Sequence, residues 1–309
     1  MNQKINNMKY DKVNGNVGFL EIPHKYVNLN DDSIVYTSVT TLIGKYELPY
    51  DKEFWSKYKA LERLMLPDDW KDAKKSLLAS EKFDNRILEA YDIPEKDLIL
   101  TQQNILDEWA EENHKSCERG TNIHAQFEQA MYNAGNAVNL SKFGIGGKFQ
   151  CKKDYSELNL EYGVYPEYLI YYDNPKLNLH IAGQIDLLIK DGNDIIIGDY
   201  KTNKKLDFKA FVNPYNKKKK RTMKYPLGNL EDCNFNHYQL QLSLYAWMLQ
   251  KLNSNFNIKR LFIYHVDHNN KQNIYEVQYL KDDIEKMLKH FAKQQMLEKQ
   301  KQKYERINY

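Results

Sequence analysis

The stretch from His180 to Thr202, HIAGQIDLLIKDGNDIIIGDYKT, holds two apolar runs separated by Asp191-Gly192-Asn193-Asp194. Apolar runs of this length around an Asp/Gly/Asn turn predict two strands joined in a tight hairpin. A two-residue or a four-residue loop centred on Gly192-Asn193 gives the same register, and in that register Asp186 stands opposite Asp199. Both side chains are expected on one face, and the period of two brings Lys201 to it as well. Two carboxylates and an ammonium on strands that otherwise read as core are costly unless something compensates them. A divalent cation held by Asp186 and Asp199, with Lys201 alongside, would do so. An ordinary ion pair within a sheet is the alternative.

The rest of the chain supplies what such a hairpin packs against. Residues 1 to about 16 are polar and expected to fray. Lys25-Tyr26-Val27 and Ile34-Val35-Tyr36 flank a turn and read as a hairpin, and Ser38 is placed to cap a helix. From about Asp51 to Asn133 the pattern is helical. Trp55, Tyr58, Leu61, Leu64 and Met65 share one face, with breaks at Pro67 and Pro94. Thr101 can cap a long helix that Gly120 interrupts or kinks before His124 and Glu128, which share a helical face. Residues 134 to 161 read as an irregular insert. Tyr165 to Tyr172 is strand-like, with Glu167 near its start. Asn236 to Leu252 fits strand or helix, its length favouring helix, and in either form Gln241 and Tyr245 share a face. Arg260 to Val266 and Ile274 to Leu280 read as a second hairpin. A final helix starts at Asp282-Asp283, with a tail beyond Leu297 expected to fray. Helices, strands, helix, strands and helix in this order predict an α/β or α+β class with a mixed sheet.

Composition narrows the setting. The net charge is only +3, so overall charge selects no partner. One local run does: Lys217, Lys218, Lys219, Lys220 and Arg221, with Lys224 close by, enclose no acid. It reads as a solvated loop or as a strip that binds phosphate. Three scattered cysteines, Cys117, Cys151 and Cys233, point to a reducing compartment without a disulfide framework. They offer no CxxC pair for zinc. No stretch is apolar enough for a membrane span or a signal region. These features together give the expectation of a soluble intracellular protein.

Asp186 followed by Asp199-Tyr200-Lys201 resembles the core of the PD-(D/E)xK nucleases. Gly120-Thr121-Asn122-Ile123-His124 is similar to the Gly-x-x-x-His helix motif of their RecB-like and Cas4-like branch. Gln241-Leu242-Ser243-Leu244-Tyr245 is similar to that branch's Gln-x-x-x-Tyr motif. Glu167 resembles an acidic residue that often precedes the first metal-binding Asp. Ser38-Val39-Thr40-Thr41 resembles an N-terminal element of phage and mitochondrial exonucleases of this group. The resemblance runs from Ser38 to Leu280. The second acid is Asp where Glu is common, and the cysteines do not match the cluster-binding set of some relatives, so no iron–sulfur cluster is expected.

The resemblance implies a restriction-endonuclease-like core, a mixed sheet flanked by helices with a helical N-terminal insert. It would divide the chain into β elements at 1–50, a helical segment covering the site at 51–119 and the nuclease core at 120–309. It implies a Mg²⁺-dependent (exo)deoxyribonuclease, with Mn²⁺ able to substitute. Asp186, Asp199 and Lys201 would be catalytic. His124 and the backbone carbonyl of Tyr200 would join Asp186 and Asp199 at the metal. Glu167, Gln241 and Tyr245 would support the site or touch the nucleic-acid backbone, and the basic run would hold phosphate. The expected partner is DNA, single-stranded or with free ends, in replication, recombination or phage genome processing. A helicase, recombinase or single-strand-binding protein would assist in the cytoplasm of a bacterium or phage-infected cell. Two other readings stand beside this one: a non-catalytic binding module on a nuclease fold, and a structure-specific or restriction-type endonuclease.

Overall fold

The computed structural model describes residues 10–153, 160–215 and 221–307. A small antiparallel sheet opens it: β1 (Lys12–Asn14), β2 (Val17–Leu20) and β3 (Lys25–Asn28). β4 (Thr37–Ser38) runs into α1 (Val39–Gly44), where the Ser38 hydroxyl accepts the Thr41 N–H at 3.0 Å, the expected cap. Then come α2 (Lys52–Leu64), α3 (Pro67–Ser80), α4 (Arg86–Ala90) and the 40-residue α5 (Glu95–Ala134). β5 (Val138–Asn139) pairs with β6 (Lys148–Phe149). β7 (Gly163–Asn174), β8 (Leu179–Asp191) and β9 (Asp194–Lys201) form a meander. α6 (Asn234–Leu252), β10 (Asn257–Val266), β11 (Gln272–Glu276) and α7 (Lys281–Ile307) complete the chain.

The main sheet is mixed, as expected. β9 pairs with β10 in parallel and β8 with β4 in parallel, while the other pairs are antiparallel. α1, α6 and α7 pack on one face of the sheet, around Ile181, Ile185, Ile195, Ile197 and Leu244. The C-terminal half of α5 and the β5–β6 ribbon cover the other, around Phe143, Leu187, Ile189, Tyr200 and Phe262. The first four helices after α1 close over a core of their own, built on Phe54, Leu61, Leu77 and Ile105.

The hairpin turn is the two-residue form. Asp191 pairs with Asp194, and Gly192 takes a φ of +59° that a side chain would resist. The β8–β9 ladder ends at Leu187 and Gly198. β7 pairs with β8 along nearly its whole length, so β9 and β4 share the opposite edge of β8. β4 occupies it at Ile181 and Ala182, and β9 from Leu187 onward. Between them a fork opens in the sheet. Alternation also slips here: Ile181 and Ile185 point under α6, yet Leu187 and Ile189 point under α5. On β7, Tyr165 and Tyr168 share the α6 side across Glu167, whose φ is +49°. Both strands therefore step by three at one level, and their pairing register survives.

Several sequence expectations need correction. β3 pairs chiefly with β2, four residues away across a short turn, and among the described residues only Val27 bridges to Val35. α5 begins after Pro94 rather than at Thr101, and it runs unbroken through Gly120. Proline suits a helix start, while one glycine in a long, packed helix costs only about 1 kcal/mol. The division expected at 119/120 thus falls inside a helix. The polar start is ordered from Lys12: Asn14 is fully buried and donates to the Leu169 carbonyl at 2.8 Å. α7 continues past Leu297 to Ile307.

Candidate active site

The fork between β8 and β9 collects the charged residues of the hairpin. Counted along the ladder, Asp186 faces Asp199 one step past the last pair. Asp186 Oδ2 accepts the Tyr200 N–H at 2.6 Å, so a carboxylate takes over where backbone pairing stops. Asp199 is 1% exposed. Its Oδ1 accepts from Gln241 Nε2 at 2.9 Å, and Lys201 Nζ stands 2.6 Å from its Oδ2. Among the described residues Oδ2 has no other partner. The Lys201 ammonium also lies 4.7 Å from the centre of the Tyr238 ring, on the first turns of α6.

α5 reaches the fork from the other face. Gly120 eases this approach, since a Cβ there would come within 3.3 Å of Thr202 Oγ1. Arg119 ties the helix down by donating to the Thr202 carbonyl at 2.7 Å. One turn on, His124 Nε2 lies 3.1 Å from the Tyr200 carbonyl oxygen. Its Nδ1 lies 3.1 Å from Glu167 Oε1 and 3.7 Å from Asp186 Oδ2. Glu167 is brought in by its left-handed backbone, and Lys12 of β1 donates to its carbonyl at 3.2 Å while pairing with Glu128 at 3.1 Å.

Burial and mutual charge set the ionisation. Burial pushes the Asp186 carboxyl up. Burial also lifts Asp199 to about 6, against the pull of Lys201. Burial works against a charged His124, but Asp186 and the hydrogen bond to Glu167 outweigh it and push the imidazole up to about 9. Burial likewise opposes the Lys201 ammonium, while Asp199 and Asp186 raise its pKa above the ordinary lysine value. The fork thus holds three carboxylates against two cations.

This donor set fits a hard divalent cation. One ligand atom each from His124, Glu167 and Asp186 lie within 4.8 Å of one another; carboxylate oxygens suit hard divalent ions and an imidazole suits transition ions. Asp199 Oδ2, buried on the adjoining strand, has the Lys201 ammonium as its partner. The triad that the fold assembles contains Glu167, which the sequence placed only in support. Asp199 is engaged instead by Lys201 and Gln241, and the Tyr200 carbonyl by His124.

The remaining expected residues separate. Gln241 reaches the site from inside α6, as expected of a helix face. Tyr245, one turn on, is 3% exposed and packs on Gly183, where a Cβ would meet its ring at 2.8 Å. It braces the fork from below. Lys217, Lys218, Lys219 and Lys220 lie outside the described residues, and Arg221 sits 5.6 Å from the Phe211 ring. Lys12 and Tyr238 escaped the sequence reading. Lys12 stands in a polar segment with no pattern, whereas Tyr238, three positions before Gln241, could have been found from the helical spacing.

A family model described as the PD-(D/E)XK nuclease superfamily matches residues 59–308. Among solved structures, the chain is similar to a crystal structure from Eubacterium rectale of a protein provisionally assigned as an exonuclease. The match has 12% identity and a TM-score of 0.26, and covers 40% of this chain and 41% of that one. No curated protein matches. Among the described residues, no helix is long and apolar enough to cross a membrane.

Proposed function

The chain belongs to the PD-(D/E)XK nuclease superfamily, and from that premise we propose that it hydrolyses DNA phosphodiester bonds with a divalent metal, as an exonuclease on single-stranded or end-containing DNA. The observation that carries this reading is the fork itself. It gathers Asp186, Asp199 and Lys201 with His124 and Glu167.

His124, Glu167 and Asp186 would hold the ion, with Asp199 on the adjoining strand paired to Lys201. Bound there, Mg²⁺ would polarise the scissile phosphate and acidify a water. The chain's own groups supply the rest. Lys201, kept charged by Asp199 and Asp186, is a donor for the attacking water or for charge that grows on the phosphate oxygens. Gln241 fixes Asp199 through Oδ1 and leaves Oδ2 to Lys201. Tyr200 fixes Asp186 through its backbone N–H. Tyr245 and Gly183 form the floor beneath both.

End-labelled single- and double-stranded DNA, with Mg²⁺ or chelator and with free or blocked ends, tests the reading. Mg²⁺-dependent loss of label from free ends, spared in closed circles, is the expected result. Rapid cutting of circles makes the protein an endonuclease. No cutting of any substrate reduces it to a binding module.

A further inference from the structure

The segment after Lys201 holds large rings half out in water. Phe208 and Phe211 are each 50% exposed and Tyr215 is 45% exposed. The segment is not loosely attached. Asp207 N–H donates to Asn234 Oδ1 at 2.7 Å, and Ala210 N–H to Glu231 Oε2 at 2.8 Å. Asn213 is 4% exposed and donates to the Leu78 carbonyl at 2.6 Å and to Glu81 at 3.0 Å. A tethered backbone that displays large rings forgoes their burial, and exposed apolar rings held in place along one segment mark a contact surface.

Two features select the occupant. The first is continuity with the candidate site. Phe208 lies 4.6 Å from Phe235, and Phe235 is three positions before Tyr238 on α6, so both share the helix face on which Tyr238 meets Lys201. The rings therefore lead away from Lys201 in steps of about one helical turn. The second is charge. Arg221 sits over Phe211 at 5.6 Å, with Trp55 edge-on at 5.9 Å on the other helical cluster. Cation and ring together suit a polyanion that carries flat π-faces.

We propose that Phe208 and Phe211 form a stacking platform for unpaired bases of the strand whose backbone enters the fork. The proposal rests on the nuclease reading for the identity of that strand. Bases in a duplex already stack on each other and offer no free face, so the platform selects single-stranded segments. The aromatic contact ignores sequence because every base presents a π-face.

Binding measured by fluorescence anisotropy in chelator separates this proposal from catalysis. The probes are a single-stranded oligonucleotide, the same strand with abasic residues, and a blunt duplex. Phe208→Ala and Phe211→Ala are each expected to weaken binding of the normal strand roughly tenfold, and to leave the abasic strand and the duplex unchanged. Phe208→Leu, which keeps apolar bulk without a π-face, is expected to behave as Phe208→Ala does, and its unchanged melting temperature guards against misfolding. Equal losses on normal and abasic strands, or no loss in any variant, overturn the platform. Cleavage is scored separately with wild type and Mg²⁺. Absence of cutting there sinks the nuclease reading while the ring-dependent binding result still stands or falls alone.

Discussion

His124 Nε2 faces the backbone carbonyl oxygen of Tyr200 at 3.1 Å. A carbonyl only accepts, so that nitrogen carries a proton. Nδ1 faces the Glu167 carboxylate, another acceptor, so the metal-free ring is an imidazolium held at about 9. A cation taking Nδ1 must displace that proton.

The consequence is a pH signature with two arms. In the metal-free protein the pKa of His124 is raised above its unfolded value. Its contribution is full below about 6.5 and is lost as pH rises through about 9. Stability in chelator should therefore fall over that window by about 3 kcal/mol, and the melting temperature with it. Mn²⁺ affinity should rise over the same window, with about one proton released per ion. Calorimetry in buffers of different ionisation enthalpy counts the proton. His124→Gln should flatten both curves, and a wild-type pH slope retained in that variant would contradict the assignment.

Lys201 separates chemistry from metal binding. Lys201→Met removes a cation beside the proposed ion, so Mn²⁺ affinity should hold or rise. Turnover should drop roughly 10²- to 10³-fold, as when a transition-state donor is lost. The variant also strands the Asp199 carboxylate, which is costly by about 3–5 kcal/mol at neutral pH. A carboxyl raised further above 3.8 loses stability as pH climbs from its unfolded to its folded pKa, so the deficit should be smaller at pH 5 than at pH 8. Melting curves at the two pH values, next to rate assays, check this.

Gln241 should act through Asp199. Gln241→Ala deletes the donor to Oδ1, and a carboxylate that loses a hydrogen bond ionises less readily. Asp199 should then titrate above its value of about 6, and the acid limb of the pH–rate profile should move to higher pH. An unmoved limb with a uniformly lower rate would mean that Gln241 touches substrate instead.

The basic run can be tested on salt. Replacing Lys217, Lys218, Lys219 and Lys220 with Ser should weaken DNA binding about equally for all sequences. It should also flatten the salt dependence by a slope of about 0.7 for each single-strand phosphate that the variant no longer neutralises. Rate at saturating DNA should hold. An unchanged slope would leave the run as a solvated loop.

How far the sequence carried depended on which physical signal was local. The Asp-Gly-Asn-Asp turn and its apolar flanks are local, so the pairing of Asp191 with Asp194 and the level of Asp186 and Asp199 were readable. The Ser38 cap and the helical face of Gln241 were readable for the same reason. Period-two logic failed at Asp186, where β8 steps by three, because that step is matched on β7 and so depends on a partner strand. Glu167 could not be promoted to the ligand group from its position alone, since its left-handed backbone is what turns it inward. Lys12 meets Glu167 only through a sheet whose residues show no pattern.

The unbroken α5 has a mechanical consequence. From Glu95 to His124 it is a single rod of about 44 Å at 1.5 Å per residue, with one end in the helical cluster and His124 at the fork. A rod transmits tilt. A load on the cluster around Phe54 and Ile105 would reach the imidazole that faces the Tyr200 carbonyl. The same rod makes the cluster a poor candidate for transplantation, because a cut at Gly120 would sever the lever and not a hinge.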